Sequence, residues 1–288
     1  MEGRLDLILT DLRLPTVKRL ALELCTQSDR EGWPGNRLLE ALFEHEINER
    51  EVRRIERHRI ESALTSDKRL SSFDFSAVPS VSKAQVMALA AGTEWLDRGA
   101  NVLLFGPPGV GKSHLISGLG HALIDAGRRV LFVRCSELVQ RLQTARRDLR
   151  LAHELAKLDR FDLLVLDDLS YVRRDQAETS VLFELIAERY ERKSIAITAN
   201  TPFSQWGEVF VDAAMTVAAV DRLVHHSTIL EMNVQSYRRR AAQAAQAPAK
   251  RVRATTTTAT TLDKTAPCAP DDVTRDETPS HQPIANNQ

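Results

Sequence analysis

The stretch NVLLFGPPGVGKSHL (residues 101–115) opens with a continuous five-residue apolar run, the pattern of a strand buried on both faces. Gly106-Pro107-Pro108-Gly109-Val110-Gly111-Lys112-Ser113 then satisfies G-x-x-x-x-G-K-[ST], and a helical pattern over 112–125 follows it. Strand, glycine turn and helix in this order predict a phosphate-binding loop. Its glycines let backbone N–H groups converge on phosphate oxygens, and the helix N-terminus adds a partial positive charge. Lys112 is expected to reach the β- and γ-phosphates of ATP, and the Ser113 hydroxyl to ligate Mg²⁺. The nucleotide-binding set therefore runs from Gly106 to His114. The bland alternative, a glycine turn with no ligand, is disfavoured because every fixed position stands in the right context.

Working outward, further strand patterns are RVLFV (129–133), DLLVL (162–166), SIAIT (194–198) and STILEM (227–232). Helical patterns at 112–125, 136–157 and 176–191 separate them. Alternation of near-continuous apolar strands with helices predicts an α/β fold, a parallel sheet covered on both faces. Asp167-Asp168 end the DLLVL strand, where the first carboxylate is expected to hold Mg²⁺ and the second to polarise the attacking water. Asn200 ends the next strand and is expected beside the γ-phosphate; a plain turn before Pro202 is the competing use of an Asn. Arg222, in AAVDRLVHHSTIL (218–230), has two readings from chemistry alone: a surface ion pair with Asp221 or a neighbour, or an arginine finger given to an adjacent subunit.

The first seventy residues read as helical. Pro15 suits a first helical turn, GWPGN (32–36) breaks the chain, and Asn36 is the expected cap of a long second helix. Its run REVRRIERHR (50–59) is either a solvated face laced with local ion pairs or a contact surface for DNA or a partner. QRLQTARRDLR (140–150) places Arg141, Arg146, Arg147 and Arg150 on one expected helix, as candidate DNA contacts against the same bland reading. From Ala241 onward the chain is rich in Ala, Thr and Pro with few large apolar residues, the composition of a disordered tail. The expected division is a helical region at 1–70, a nucleotide domain at 71–240 and a tail at 241–288.

Composition narrows the function classes. Lys plus Arg and Asp plus Glu are both 39 in 288 residues, so any nucleic-acid contact must come from local basic patches rather than overall charge. No stretch approaches a membrane span, and the charged opening MEGRLDLILTDLRLP is unlike a secretory hydrophobic region. The three cysteines, Cys25, Cys135 and Cys268, have no disulfide or zinc spacing, which points to a reduced cytoplasmic setting. A GTPase would want [NT]-K-x-D; the nearest match, AKLD (156–159), lacks the first position and precedes the carboxylate strand. No acceptor site or lid of a small-molecule kinase announces itself. His225-His226 is read as a surface or packing feature.

Taken together, SSFDFS (71–76), NVLLFGPPGVGKSHL, FDLLVLDDLSYV (161–172), ITANTPFSQW (197–206), DRLVHH (221–226) and SYR (236–238) resemble, in order, the IstB-type helper ATPases of insertion sequences. Those are similar in turn to the DnaC/DnaI replicative helicase loaders. The resemblance implies an AAA+ P-loop αβα sandwich with Lys112 and Ser113 for nucleotide and Mg²⁺, Asp167 for Mg²⁺, Asp168 for water activation, Asn200 as sensor and Arg222 as finger. Asp168 stands where the wider AAA+ superfamily usually has Glu, and Arg238 is a weak substitute for a lid sensor. The implied function is ATP-dependent self-assembly on double-stranded DNA and stimulation of a DDE-type transposase, in a bacterial cytoplasm. A helicase loader is the alternative, and a DNA scaffold that hardly hydrolyses ATP is a second.

Overall fold

The computed structural model describes residues 2–169, 176–202, 206 and 212–234. The tail, with the unit Pro248–Gln288, lies outside these residues, as does the SYR segment with Arg238.

Five strands form one parallel sheet: β1 (Asn101–Phe105), β2 (Val130–Arg134), β3 (Leu163–Asp167), β4 (Ser194–Ala199) and β5 (Ser227–Glu231). Their spatial order is β2-β3-β4-β1-β5, so β4 enters between β3 and β1. The reading of a parallel sheet covered on both faces holds, with strand ends displaced by one residue from the predicted runs at β2, β3, β4 and β5.

Side chains alternate across the sheet and feed two cores. Leu103, Phe105, Leu164, Leu166, Ile195 and Ile197 pack under α7 (Cys135–Arg147), α8 (Leu151–Leu158), α9 (Gln176–Arg189) and α10 (Ala213–Val224). Val102, Leu104, Leu163, Val165 and Ala196 pack on the other face, under α4 (Lys83–Ala91) and α6 (Lys112–Asp125). A four-residue helix, α5 (Glu94–Asp97), leads into β1. Arg189, with a fully buried side chain, ties the first layer together by donating to the carbonyls of Leu158, Phe161 and Ser194 at 2.9, 3.0 and 2.9 Å. Burial lowers its pKa to about 10, against the nearby charges of Asp159 and Asp162.

The predicted helix over 136–157 is two helices. At 1.5 Å per residue, 22 residues would run about 33 Å, while a five-residue strand spans roughly 16 Å. The chain therefore turns back after α7, with Leu149 at φ 55° and 95 % exposed, and α8 returns Leu151, Leu155 and Leu158 to the same core. Arg150 consequently precedes α8 instead of extending the helix that carries Arg141, Arg146 and Arg147.

Three further helices precede the sheet: α1 (Glu2–Asp11), α2 (Pro15–Glu31) and α3 (Gly35–Glu61). Their shared core is Leu9, Val17, Leu24 and Leu42. Asn36 does not cap α3, which starts one residue earlier with Pro34 in the capping position. The N-terminus of α2 is capped from a distance: Glu46 of α3 accepts from the N–H of Thr16 and Val17 at 2.8 and 3.1 Å. Burial would push that carboxyl up; the two N–H donors and Arg50 outweigh it and hold its pKa below the usual carboxylate range. The basic run is laced with short-range pairs, Arg50–Glu46, Arg53–Glu49, Arg54–Glu51 and Arg59–Glu56. Arg59 also pairs with Asp125 of α6 at 2.8 Å, and the Ser62 carbonyl accepts from Phe132 N–H at 2.8 Å, fastening α3 to the sheet.

Candidate functional site

The site lies where β1, β3 and β4 end, at the reversal in strand order that leaves a crevice in open α/β sheets. After β1, Gly109 and Gly111 take φ of 82° and 103°, which side-chain-bearing residues rarely adopt. Gly111 then sits in the N-cap position of α6 with no side chain capping the helix, leaving its first N–H groups facing the loop. A Cβ at Gly111 would lie 3.0 Å from Phe73 Cε2, so glycine also lets the preceding segment close over the loop.

Lys112 is only 7 % exposed. Its Nζ donates to the carbonyls of Gly106 and Pro107 at 2.7 and 3.0 Å, and to Asn200 Oδ1 at 2.8 Å. Asn200 Nδ2 in turn donates to Asp168 Oδ1 at 3.1 Å. Ser113 Oγ lies 2.8 and 3.0 Å from the two oxygens of Asp167. Lys112, Asn200 and Asp168 thus form one hydrogen-bonded group, and Ser113 with Asp167 a second.

Thr198 lies within the ITANTPFSQW stretch but carries no predicted role, and it joins the two groups. Buried within β4, it donates its hydroxyl to Asp167 Oδ1 at 2.6 Å and accepts the Asp168 N–H at 2.9 Å. Asp168 has φ 57°, and the hydroxyl pins the backbone at this unusual turn. In sequence Thr198 is one more β-branched strand residue; only the pairing of β3 beside β4 gives it a role.

The segment before the sheet supplies the other wall. A cavity of about 330 Å³ is lined by Lys68, Ser72, Phe73, Asp74, Ala77 and Val78 together with Gly109 to His114. Phe73, partly buried, offers an apolar surface of the kind a nucleobase needs, while Val78 is buried in the core. His114 faces this segment: its Nε2 is 3.1 Å from both Ser72 Oγ and the Arg69 carbonyl, and its ring meets Phe73 edge-on. A Cβ at Gly118 would lie 2.7 Å from Leu70 N, so this glycine lets the segment lie against α6.

The remaining predicted residues lie elsewhere. Arg222 is in the last turn of α10, at the edge where strands begin: neighbouring Leu223 accepts from Asn101, the first residue of β1. Its guanidinium covers the Phe183 ring at 5.2 Å and donates to the Ala218 carbonyl, with no ion pair among the described residues. The alternative reading of a surface ion pair, with Asp221 or a neighbour, finds no such pair among the described residues. Arg141 is held by Glu154 at 2.8 Å, and Arg146 by Ser180 and Glu184. Arg147 and Arg150 are exposed beside the α7–α8 turn, so the four arginines do not form one free basic row.

An open β2-β3-β4-β1-β5 sheet with a glycine loop after β1 and paired carboxylates at the end of β3 defines an AAA+ P-loop ATPase. Residues 8–245 match the IstB-like ATP binding protein family, and the chain belongs to it. An insertion sequence ATP-binding protein of Sinorhizobium fredii is 64% identical over 245 residues, 85% of this chain and 82% of that protein. The insertion sequence IS21 ATP-binding protein of Pseudomonas aeruginosa is 36% identical over 234 residues, 81% of this chain and 88% of its own length. Among solved structures, the DnaC helicase loader is similar over 52% of this chain and 86% of its own, at 21% identity and a TM-score of 0.44. No helix among the described residues is long and apolar enough to cross a membrane.

Proposed function

We propose that this chain is an ATP-hydrolysing, DNA-binding helper of transposition that assembles with copies of itself on duplex DNA and stimulates a partner transposase of the DDE type in the bacterial cytoplasm. The observation that carries the hydrolytic part is the connected set Lys112–Asn200–Asp168 with Ser113–Asp167–Thr198. The insertion-sequence relatives support the transposition part.

The donor set fits a metal-nucleotide. An uncapped helix N-terminus and Lys112 match phosphate oxygens, and the hydroxyl and carboxylate oxygens of Ser113 and Asp167 are the hard donors Mg²⁺ takes. When bound, Mg²⁺ neutralises charge on the phosphates. Lys112 leaves its loop carbonyls to meet the phosphate, Asn200 orients the terminal phosphate, and Asp168 accepts the proton of the attacking water. Phe73 packs on the base and excludes water from it. In this reading 71–240 is the ATP-binding domain, 1–70 makes DNA, partner or self contacts, and the tail follows.

Thr198 positions Asp167 and Asp168 through its hydroxyl. Thr198→Val keeps the shape and removes the hydroxyl, so kcat is expected to fall on the order of ten- to a hundred-fold, as when a group orienting a metal ligand is removed. KM for ATP is expected to change little, and Thr198→Ser should restore most of the rate. A rate unchanged by Thr198→Val contradicts this role.

Arg147 and Arg150 are the DNA-binding side chains the geometry leaves available. Replacing both with Ala is expected to reduce the slope of log affinity against log salt by about 0.9 for each phosphate no longer neutralised. Replacing Arg141 should leave the slope unaltered. Electron microscopy of the protein with ATP and duplex DNA tests the whole reading: ordered assemblies on DNA are expected, and persistent monomers would overturn it. Activation by a replicative helicase and not by a transposase would favour a helicase loader.

A further inference from the structure

At the opposite edge of the sheet from the ATP site, three metal-ligating side chains converge. Glu191 stands in the turn after α9, and His225 and His226 in the turn after α10. His225 Nδ1 is 3.5 Å and His226 Nε2 4.0 Å from the same oxygen, Glu191 Oε1, and all three donor atoms lie within 4.8 Å of one another. Tetrahedral ligands at about 2.0–2.2 Å from a zinc ion stand roughly 3.3–3.6 Å apart, so a contraction of well under 1 Å per donor would enclose an ion.

Several features bias this corner towards a cation. The helices α9 and α10 both end here, and helix C-termini carry partial negative charge. Of the neighbouring basic residues, Arg192 is engaged by Asp159 and Glu188 and Lys193 by Asp162, while Arg222 stacks on Phe183. Glu191 pairs with no lysine or arginine among the described residues; its carboxylate meets the two imidazoles and the Tyr190 hydroxyl. Its backbone is held at φ 55°, in close packing over Gly99, where an added Cβ would lie 2.8 Å from the Glu191 carbonyl carbon. Left-handed conformations at side-chain-bearing residues persist where surrounding structure enforces them. Tyr190 Oη lies 2.9 Å from His225 Nδ1, so a cation bound there takes the place of the tyrosine hydroxyl on that nitrogen. The two imidazole ring centroids are 4.1 Å apart, close enough for both rings to reach one ion.

We propose that Glu191, His225 and His226 form a binding site for a late first-row divalent cation, zinc foremost, with a coordination position open to water or a further ligand. Two imidazoles and one carboxylate suit Zn²⁺ and not Mg²⁺, which prefers an all-oxygen shell. The site is separate from the Ser113–Asp167 pair, and it follows directly on the helix that carries Arg222.

The test is calorimetric titration of the chelator-treated full-length protein with Zn²⁺, in excess Mg²⁺ to saturate oxygen sites, followed by Co²⁺ absorption spectra. One equivalent of Zn²⁺ is expected. Glu191→Ala and His226→Ala are each expected to weaken it at least about tenfold, while His153→Ala leaves it unchanged. Folding of the variants is checked by circular dichroism and by retained ATP binding. Co²⁺ should give tetrahedral bands without thiolate charge transfer. Absence of a Zn²⁺ equivalent, binding indifferent to both substitutions, or a thiolate band would each overturn the site.

Discussion

Lys112→Ala protein is expected to lose ATP binding to the limit of a fluorescent-nucleotide titration. The site offers two kinds of positive potential, the N-terminus of α6 and the Lys112 ammonium. The helix end carries about half an elementary charge, far short of a triphosphate. Removing the full charge from a buried site costs about 3–5 kcal/mol, which is roughly a hundred- to several-thousand-fold in affinity. Lys112 also donates to the Gly106 and Pro107 carbonyls, so its removal could loosen the loop itself. Thermal unfolding without nucleotide separates the effects: the variant and the parent should melt alike in its absence, and only the parent should be stabilised by ATP. Retained affinity would remove Lys112 from the site.

Arg222→Ala should bind ATP normally and hydrolyse it poorly. An arginine finger contributes on the order of 10³–10⁵ in rate in P-loop enzymes. Arg222 cannot serve its own ATP site, because it lies by the strand starts while Gly106 to Ser113 lie beyond the strand ends. The intervening five residues span about 16 Å, more than twice the reach of an extended arginine. Any catalytic role is therefore across a subunit boundary. Asp168→Asn should also be nearly inactive with ATP still bound, since an amide cannot accept the water's proton. Mixing the two inactive proteins should restore partial hydrolysis, because one kind of junction pairs an intact Asp168 with an intact neighbouring Arg222. Mixed assemblies, confirmed by pull-down, that stay inactive would rule out the trans role.

The structure also gives the arginine a holding place. Stacked on Phe183 and bonded to Ala218, it is ordered without an ionic partner among the described residues, so presenting it to a neighbour breaks no salt bridge. Arg146, by contrast, would have to leave Ser180 and Glu184 before it could meet a phosphate. Two of the four arginines predicted for DNA are thus already engaged in holding helices to one another, and Arg147 with Arg150 carry the remaining case.

Much of this protein was legible in the residues alone, for a physical reason. A phosphate loop is a local object: its glycines, lysine and hydroxyl are consecutive, so chain connectivity itself brings them together. Apolar five-residue runs alternating with amphipathic helices likewise specify a parallel sheet, since burial on both faces leaves few other arrangements. The carboxylates at 167–168 and Asn200 could be anticipated because strand ends of a parallel sheet share one edge. What connectivity does not encode is which strands are neighbours and where a helix must stop. Insertion of β4 between β3 and β1 makes Thr198 the hydrogen-bonding partner of Asp167 and Asp168, and makes Asn200 the link from Lys112 to Asp168. The length of the sheet splits α7 from α8 and parts Arg150 from the helix of Arg146 and Arg147. Glu46 caps α2 from thirty residues away, and the 68–78 segment becomes a wall of the cavity beside the glycine loop, because packing brings together groups distant in sequence. Residues adjacent in the chain set the local chemistry, whereas the partners of each buried polar group follow from long-range packing, which only the folded chain defines.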